Sequence, residues 1–238
     1  MTRWAQRSCA EELMDDASVP DATFAATLQE IARINRWTCA YAPTLAALER
    51  FTVRHDSARP LQILDLGSGY GDMLRVVAAW AVRRGVNVQL TGIDRHPAAA
   101  LAARAATPAQ WPIAFETADV LTYAPPVPVD VIICSLFLHH FATDAATSLL
   151  RRMTELAQLG WFVNDLHRHP IPYYAVRWAV RLIGSGPLVR TDAPLSIARA
   201  FTRRDLQTLI ARAAIDASRV QIRWHWPFRW GMTYAHRS

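Results

Sequence analysis

The 238-residue chain reads as an α/β protein built on a mostly parallel sheet with helices on both faces. Three observations predict this. Short apolar runs rich in β-branched residues alternate along its middle with segments of helical period. The first run passes into a glycine-rich turn and then a helix, LQILDLGSGYGD at 61–72, which is how a doubly wound sheet offers backbone N–H groups to a ligand. Hydrophobic residues make up 52% of the chain, ample for the core of one domain with a modest appendage.

The elements follow in order. The first 55 residues read as helical: Asp21–Arg36 carries Phe24, Leu28, Ile31 and Ile34 at helical spacing, and Ala42–Phe51 continues after Pro43. A strand at 61–66 leads to a helix at 71–84. A strand at 87–93, ending near Asp94, leads to a helix after Pro97. A strand at 112–117 precedes a Pro-rich turn at 125–128. The run 129–134 is continuously apolar, as a strand buried on both faces should be. A helix is expected at 143–157, and Gly160 introduces a strand at 161–166. Residues 168–200 then intervene, with the amphipathic segment PYYAVRWAVRLIG, before a helix for which Thr202 is the N-cap. The tail SRVQIRWHWPFRWGMTYAHRS predicts a hairpin turning near Pro227.

Composition removes several classes. No run of 18 apolar residues is present, and the N-terminus lacks the apolar core of a secretory signal. Cys9, Cys39 and Cys134 are odd in number and unrelated in spacing, which gives neither a disulfide framework nor a zinc pattern; a reducing cytoplasm is the default expectation. All 26 basic residues are Arg, so a catalytic lysine is excluded. The net charge of +6 is uneven: residues 1–60 carry 7 Arg against 8 acids, 61–167 carry 7 against 9, and 168–238 carry 12 against 3. That last third favours an acidic partner, such as a carrier protein, an anionic surface or nucleic acid, unless it is simply a solvated face.

The glycine turn narrows the ligand. Gly67, Gly69 and Gly71 are spaced GxGxG with Asp at 72, so a dinucleotide fingerprint, which needs GxGxxG, is not met. Asp65 stands two residues before the first glycine, and a second apolar run, LTGID, closes on Asp94. The pattern resembles motif I of class I S-adenosylmethionine (SAM)-dependent methyltransferases. With FVNDLHRHPIPYY, EELMDD and ARINRW, the chain looks like bacterial methyltransferase-domain proteins found beside polyketide and other specialised-metabolite genes.

The resemblance implies a Rossmann-like, seven-stranded, mostly parallel sheet closed by the C-terminal hairpin. It implies an N-terminal helical cap over 1–55, a SAM-binding domain over 56–238, and a lid insertion at about 168–200 after the fifth strand. It places Gly67, Ser68 and Gly69 against SAM, Asp65 on its ammonium, and Asp94 at its ribose. Asp119 falls at the adenine and Ser135 beside the methionine moiety, Arg95 and Val120 belong to the same cofactor-binding set, and S-adenosylhomocysteine is the product. The residues after Ser135 fall at the mouth of the acceptor pocket.

A hydroxyl acceptor must lose a proton, and His is the usual base. His140 is the first choice, His139 its neighbour and His167 the second choice, with Asp165 able to orient a base. His167 and His169 on one loop are weak metal ligands, and no metal is expected. The leading function is O-methylation of a small apolar or aromatic metabolite, a phenol or enol. C-methylation of an activated carbon, nucleic-acid methylation through the basic face, and a non-catalytic SAM-binding subunit remain alternatives. Against nucleic acid, the fourth strand ends in CSLF, not Asn-Pro-Pro-aromatic, and no Pro-Cys nucleophile is present.

Overall fold

The computed structural model describes residues 4–16 and 18–237; Met1–Arg3 and Ala17, which belong to the expected N-terminal cap, and Ser238 lie outside the described residues. Five strands run parallel: β1 (Leu61–Leu66), β2 (Val88–Asp94), β3 (Ile113–Thr117), β4 (Val129–Ser135) and β5 (Ala157–Leu166). The hairpin β6 (Val220–His225) and β7 (Arg229–Ala235) completes the sheet, with β7 antiparallel to β5. The order is β3-β2-β1-β4-β5-β7-β6. The chain reverses its direction of winding between β1 and β4, where ligand crevices form at the carboxyl ends of the strands.

The helices are α1 (Asp21–Trp37), α2 (Ala42–Thr52), α3 (Asp72–Arg84), α4 (Pro97–Ala105), α5 (Thr143–Leu156), α6 (Pro170–Leu182), α7 (Pro187–Arg199) and α8 (Arg203–Arg212). Successive strand residues point to opposite faces, and each face has its own core. Leu64, Ile132, Trp161 and Val163 pack with Leu149, Leu150 and Met153 of α5 and Leu206 and Ile210 of α8. Ile63, Val131, Ile133 and Phe162 pack with Leu48 and Phe51 of α2 and Leu74 and Val77 of α3. A helix turned by one residue would lose its apolar stripe.

Local signals set the boundaries. Gly85 ends α3 in the left-handed conformation, and its N–H donates to the last-turn carbonyls of Ala81 and Val82. Thr202 caps α8 in a reciprocal capping box with Asp205. Asp130, fully buried at the start of β4, accepts two hydrogen bonds from Arg59 (2.6 and 2.7 Å) and one from the Gln62 backbone N–H. The Trp226–Pro227 peptide in the hairpin turn is cis.

One boundary departs from expectation. Gly160 lies inside β5 rather than before it, because the strand begins at Ala157 directly after α5. Its φ is +150°, and a Cβ there would stand 2.1 Å from the Tyr234 carbonyl oxygen, so β7 can approach only a glycine.

The 168–200 segment forms α6 and α7, which pack on each other. Helix α7 also touches α1, and the Gly186 N–H donates to the Glu30 carboxylate (3.1 Å). Arg229 of β7 donates to the Thr38 carbonyl (3.0 Å) and hydroxyl (2.8 Å), fastening the end of α1 to the sheet. None of the helices among the described residues is long and apolar enough to cross a membrane.

Candidate active site

Most of the expected site residues meet at the carboxyl ends of β1, β2, β4 and β5. The turn after β1 is held from both sides. Gly67 and Ser68 donate backbone N–H bonds to the Ile93 carbonyl (2.9 and 3.0 Å), and Gly69 donates to Asp94 Oδ2 (3.0 Å). Gly67, Gly69 and Gly71 all have positive φ. At Gly67, with φ +70°, a Cβ would lie 2.3–2.7 Å from ring atoms of Phe137, so this position needs glycine for conformation and for space.

Asp65 sits beneath the turn, 2% exposed, with no hydrogen bond to its carboxylate among the described residues. Burial, and then the nearby charges of Asp72 and Asp94, push its carboxyl well above the usual range. A cation brought beside it would reverse that. Asp94 differs: its oxygens accept the Gly69 and His96 N–H groups, the latter at 2.9 Å. Burial raises its carboxyl, and those two bonds oppose the rise. Each oxygen keeps a lone pair for a further donor. Arg95 is exposed and pairs with Asp15 at 3.5 Å.

Asp119 is exposed and shapes its own loop by accepting the Leu121 N–H (2.8 Å), while Val120 is buried in the α5-side core. The Ala118 N–H donates to the Asp94 carbonyl (3.0 Å), which brings the ends of β2 and β3 together. Ser135 Oγ lies 3.3 Å from Thr44 Oγ1 at the start of α2. Tyr41 links α1 to α3 by donating to Asp72 (2.7 Å). The His96 ring stacks on Phe24 of α1 at 3.9 Å. Helices α1 and α2 therefore stand over the β1 and β4 ends.

The three candidate histidines have different surroundings. His139 is 2% exposed. Its Nδ1 is 2.7 Å from Asp165 Oδ1, and its backbone N–H donates to Asp165 Oδ2 (2.8 Å). His140 is half-buried, with Nδ1 3.2 Å from Asp15. Both follow Leu136, which has φ +54°, on a short 3-10 turn, Leu138–His140. Arg7 and Arg199 take the carbonyls of His139, His140 and Phe141. His167 lies beyond β5 among His169, Phe228 and Trp230. Its buried Nδ1 has no hydrogen-bond partner, and burial, with His169 and Arg168 nearby, lowers its pKa to about 4.

Sequence reasoning passed over Glu12, Asp15, Thr44, Tyr41 and Phe137 as site neighbours. For the first four no spacing relates the residue to the strand ends it meets. Phe137 was readable only as part of an apolar tail.

A methyltransferase domain family matches residues 63–160. No curated protein matches the chain. Solved structures with a similar fold include the plantazolicin methyltransferase BpumL in complex with SAH, 16% identical with a TM-score of 0.65 over 92% of each chain. Human N-acetylserotonin methyltransferase in complex with SAM is 17% identical with a TM-score of 0.62, over 92% of this chain and 57% of that one. The magnesium protoporphyrin IX methyltransferase of Synechocystis PCC 6803 with bound SAH is 14% identical with a TM-score of 0.53 over 82% of each chain. At these identities the likeness establishes the fold, and the family model of a methyltransferase domain matches the stretch from β1 to the start of β5, residues 63–160.

Proposed function

We propose that this chain binds SAM at the carboxyl ends of β1 and β2 and transfers its methyl group to a hydroxyl of a small apolar or aromatic metabolite. The observation that carries the reading is Asp65, a buried carboxylate without a hydrogen-bond partner among the described residues, under a turn of left-handed glycines. Asp65 would take the ammonium, Asp94 the ribose hydroxyls, and Asp119 with Val120 the adenine. Gly67–Gly69 would let backbone approach the ligand, with Ser135 and Thr44 alongside.

Bound SAM supplies an electrophilic methyl on sulfonium, and its transfer to a hydroxyl releases one proton. The chain's own part is alignment, worth up to about 7–11 kcal/mol in favourable cases, and acceptance of that proton. The base in this reading is His167. The rings of His139 and His140 hold Nδ1 against Asp165 and Asp15 and face Nε2 toward Glu12, whereas His167 Nδ1 has no partner and the ring stays neutral at physiological pH. Its walls of Phe228, Trp230 and His169 suit an aromatic acceptor. Arg177, Arg181 and Arg190, all exposed, are where an acidic carrier or anionic surface would approach.

Calorimetric titration with SAM and SAH tests the cofactor. Wild type should bind, Asp94→Ala should lose binding, and the heat should vary with buffer ionisation enthalpy because an ammonium beside Asp65 releases its proton. No binding by folded wild type would overturn the reading. Methyl transfer to phenols then tests the acceptor; product methylated at carbon would replace O- by C-methylation.

A further inference from the structure

We propose that Glu12, His139 and His140 form a binding site for one divalent cation of the zinc class, independent of the SAM site. The three side chains come from the N-terminal segment and from the turn after β4. Each offers a ligand atom, and these atoms all lie within 4.8 Å of one another.

The orientation of the rings carries the argument. A carboxylate only accepts, so the ring nitrogen facing it holds the proton. His139 Nδ1 faces Asp165 at 2.7 Å and His140 Nδ1 faces Asp15 at 3.2 Å. In both rings the lone pair is then on Nε2. Both Nε2 atoms point at Glu12, 3.7 Å from Oε1 and 3.9 Å from Oε2. Those gaps exceed hydrogen-bond reach, so lone pairs converge on carboxylate oxygens with nothing to bind them. A tetrahedral ion with bonds of about 2.0–2.1 Å holds its ligands about 3.3–3.4 Å apart, so the two gaps to Glu12 close by a few tenths of an ångström and the widest separation in the set, up to 4.8 Å, closes further by side-chain rotation. A carboxylate behind each ligating imidazole is the usual support of a metal-bound histidine, and here it occurs twice.

The surroundings fix the cluster and balance its charge. Glu12 is 3% exposed, and its Oε1 also accepts from Ser196 Oγ (2.9 Å) and lies 3.8 Å from Arg199 Nε. Arg95 stands 3.5 Å from Asp15. Asp192 accepts the Leu13 and Met14 N–H groups (2.9 Å each), holding the segment that carries Glu12 and Asp15. Two nitrogens, one carboxylate and no thiolate favour zinc-class ions over calcium or magnesium, with a fourth position for water. The ion would clasp the N-terminal segment to the turn that follows Ser135.

The test uses the full chain after chelator treatment, titrated with Zn2+ and, for geometry, Co2+. One equivalent should bind with a dissociation constant at or below about 1 μM. Co2+ should give visible bands of a tetrahedral nitrogen- and oxygen-ligated centre without thiolate charge transfer. Glu12→Gln and His140→Ala should each abolish this binding, and Asp15→Asn should weaken it about 10–100-fold. A Cys9→Ser, Cys39→Ser double variant should bind as wild type. Failure of folded wild type to bind a first equivalent, or unchanged binding in Glu12→Gln, overturns the proposal. If Glu12→Gln does not fold, His140→Ala, at a half-buried ring, decides the same question.

Discussion

Replacing Gly67 with alanine perturbs the glycine turn in two separable ways. The backbone at φ +70° is left-handed, which costs an L-residue about 1–2 kcal/mol. The new Cβ would also stand 2.3–2.7 Å from three ring atoms of Phe137, and the ring cannot yield by bending as a long flexible side chain would. Overpacking of this kind costs about 1–3 kcal/mol. The sum, about 2–5 kcal/mol, corresponds to a fall in Tm of roughly 4–20 °C for a chain of this size. Gly85 supplies the control: its φ is +64°, yet a Cβ there meets nothing within 4 Å. Gly85→Ala should therefore show the backbone cost alone. Urea denaturation of both variants isolates the ring contact as their difference. Adding Phe137→Ala to Gly67→Ala should recover most of that difference in a double-mutant cycle. If Gly67→Ala is no more destabilising than Gly85→Ala, Phe137 does not lie against the turn in solution and the reasoning fails.

Other outcomes follow from the same geometry. His167→Gln should lower kcat by about 10²–10⁴-fold while leaving the SAM dissociation constant unchanged; unchanged kcat removes His167 as the base. Because the His167 pKa is lowered to about 4, protonation of this base should not reduce kcat until pH falls toward that value, and an acid limb near 6.5 would contradict the assignment. Burial alone would raise the Asp130 carboxyl, but the Arg59 bonds and the Gln62 N–H bring it below the usual range. Its contribution to stability is thus present above the unfolded carboxylate pKa of about 3.9 and lost as pH falls through the lower folded value. Asp130→Ala leaves Arg59 free to turn into solvent but strands the Gln62 N–H, so it should cost about 1–3 kcal/mol at neutral pH in chemical denaturation and should flatten that acid limb; a smaller loss would mean that the pair contributes little.

The sequence alone determined the alternation of strands and helices, the glycine turn and its two flanking acids. These are local features: β-branched runs, turn residues and capping residues act within a few positions of themselves. Even the closing hairpin was legible, because Pro227 interrupts two apolar runs. The start of β5 was not, since Gly160 serves the approach of the Tyr234 carbonyl oxygen from β7 rather than a turn. Nor was the sorting of the three histidines. Identical residues acquire different chemistry from what tertiary contact sets beside them: Asp165 against His139, Asp15 against His140, and an aromatic wall against His167. Glu12 is the clearest case. It lies in an acidic stretch with no periodic relation to anything downstream, and only the folding of the N-terminal segment along α7 brings its carboxylate to the turn after β4. Pairings between distant segments depend on which faces bury together, and no short window of sequence carries that information.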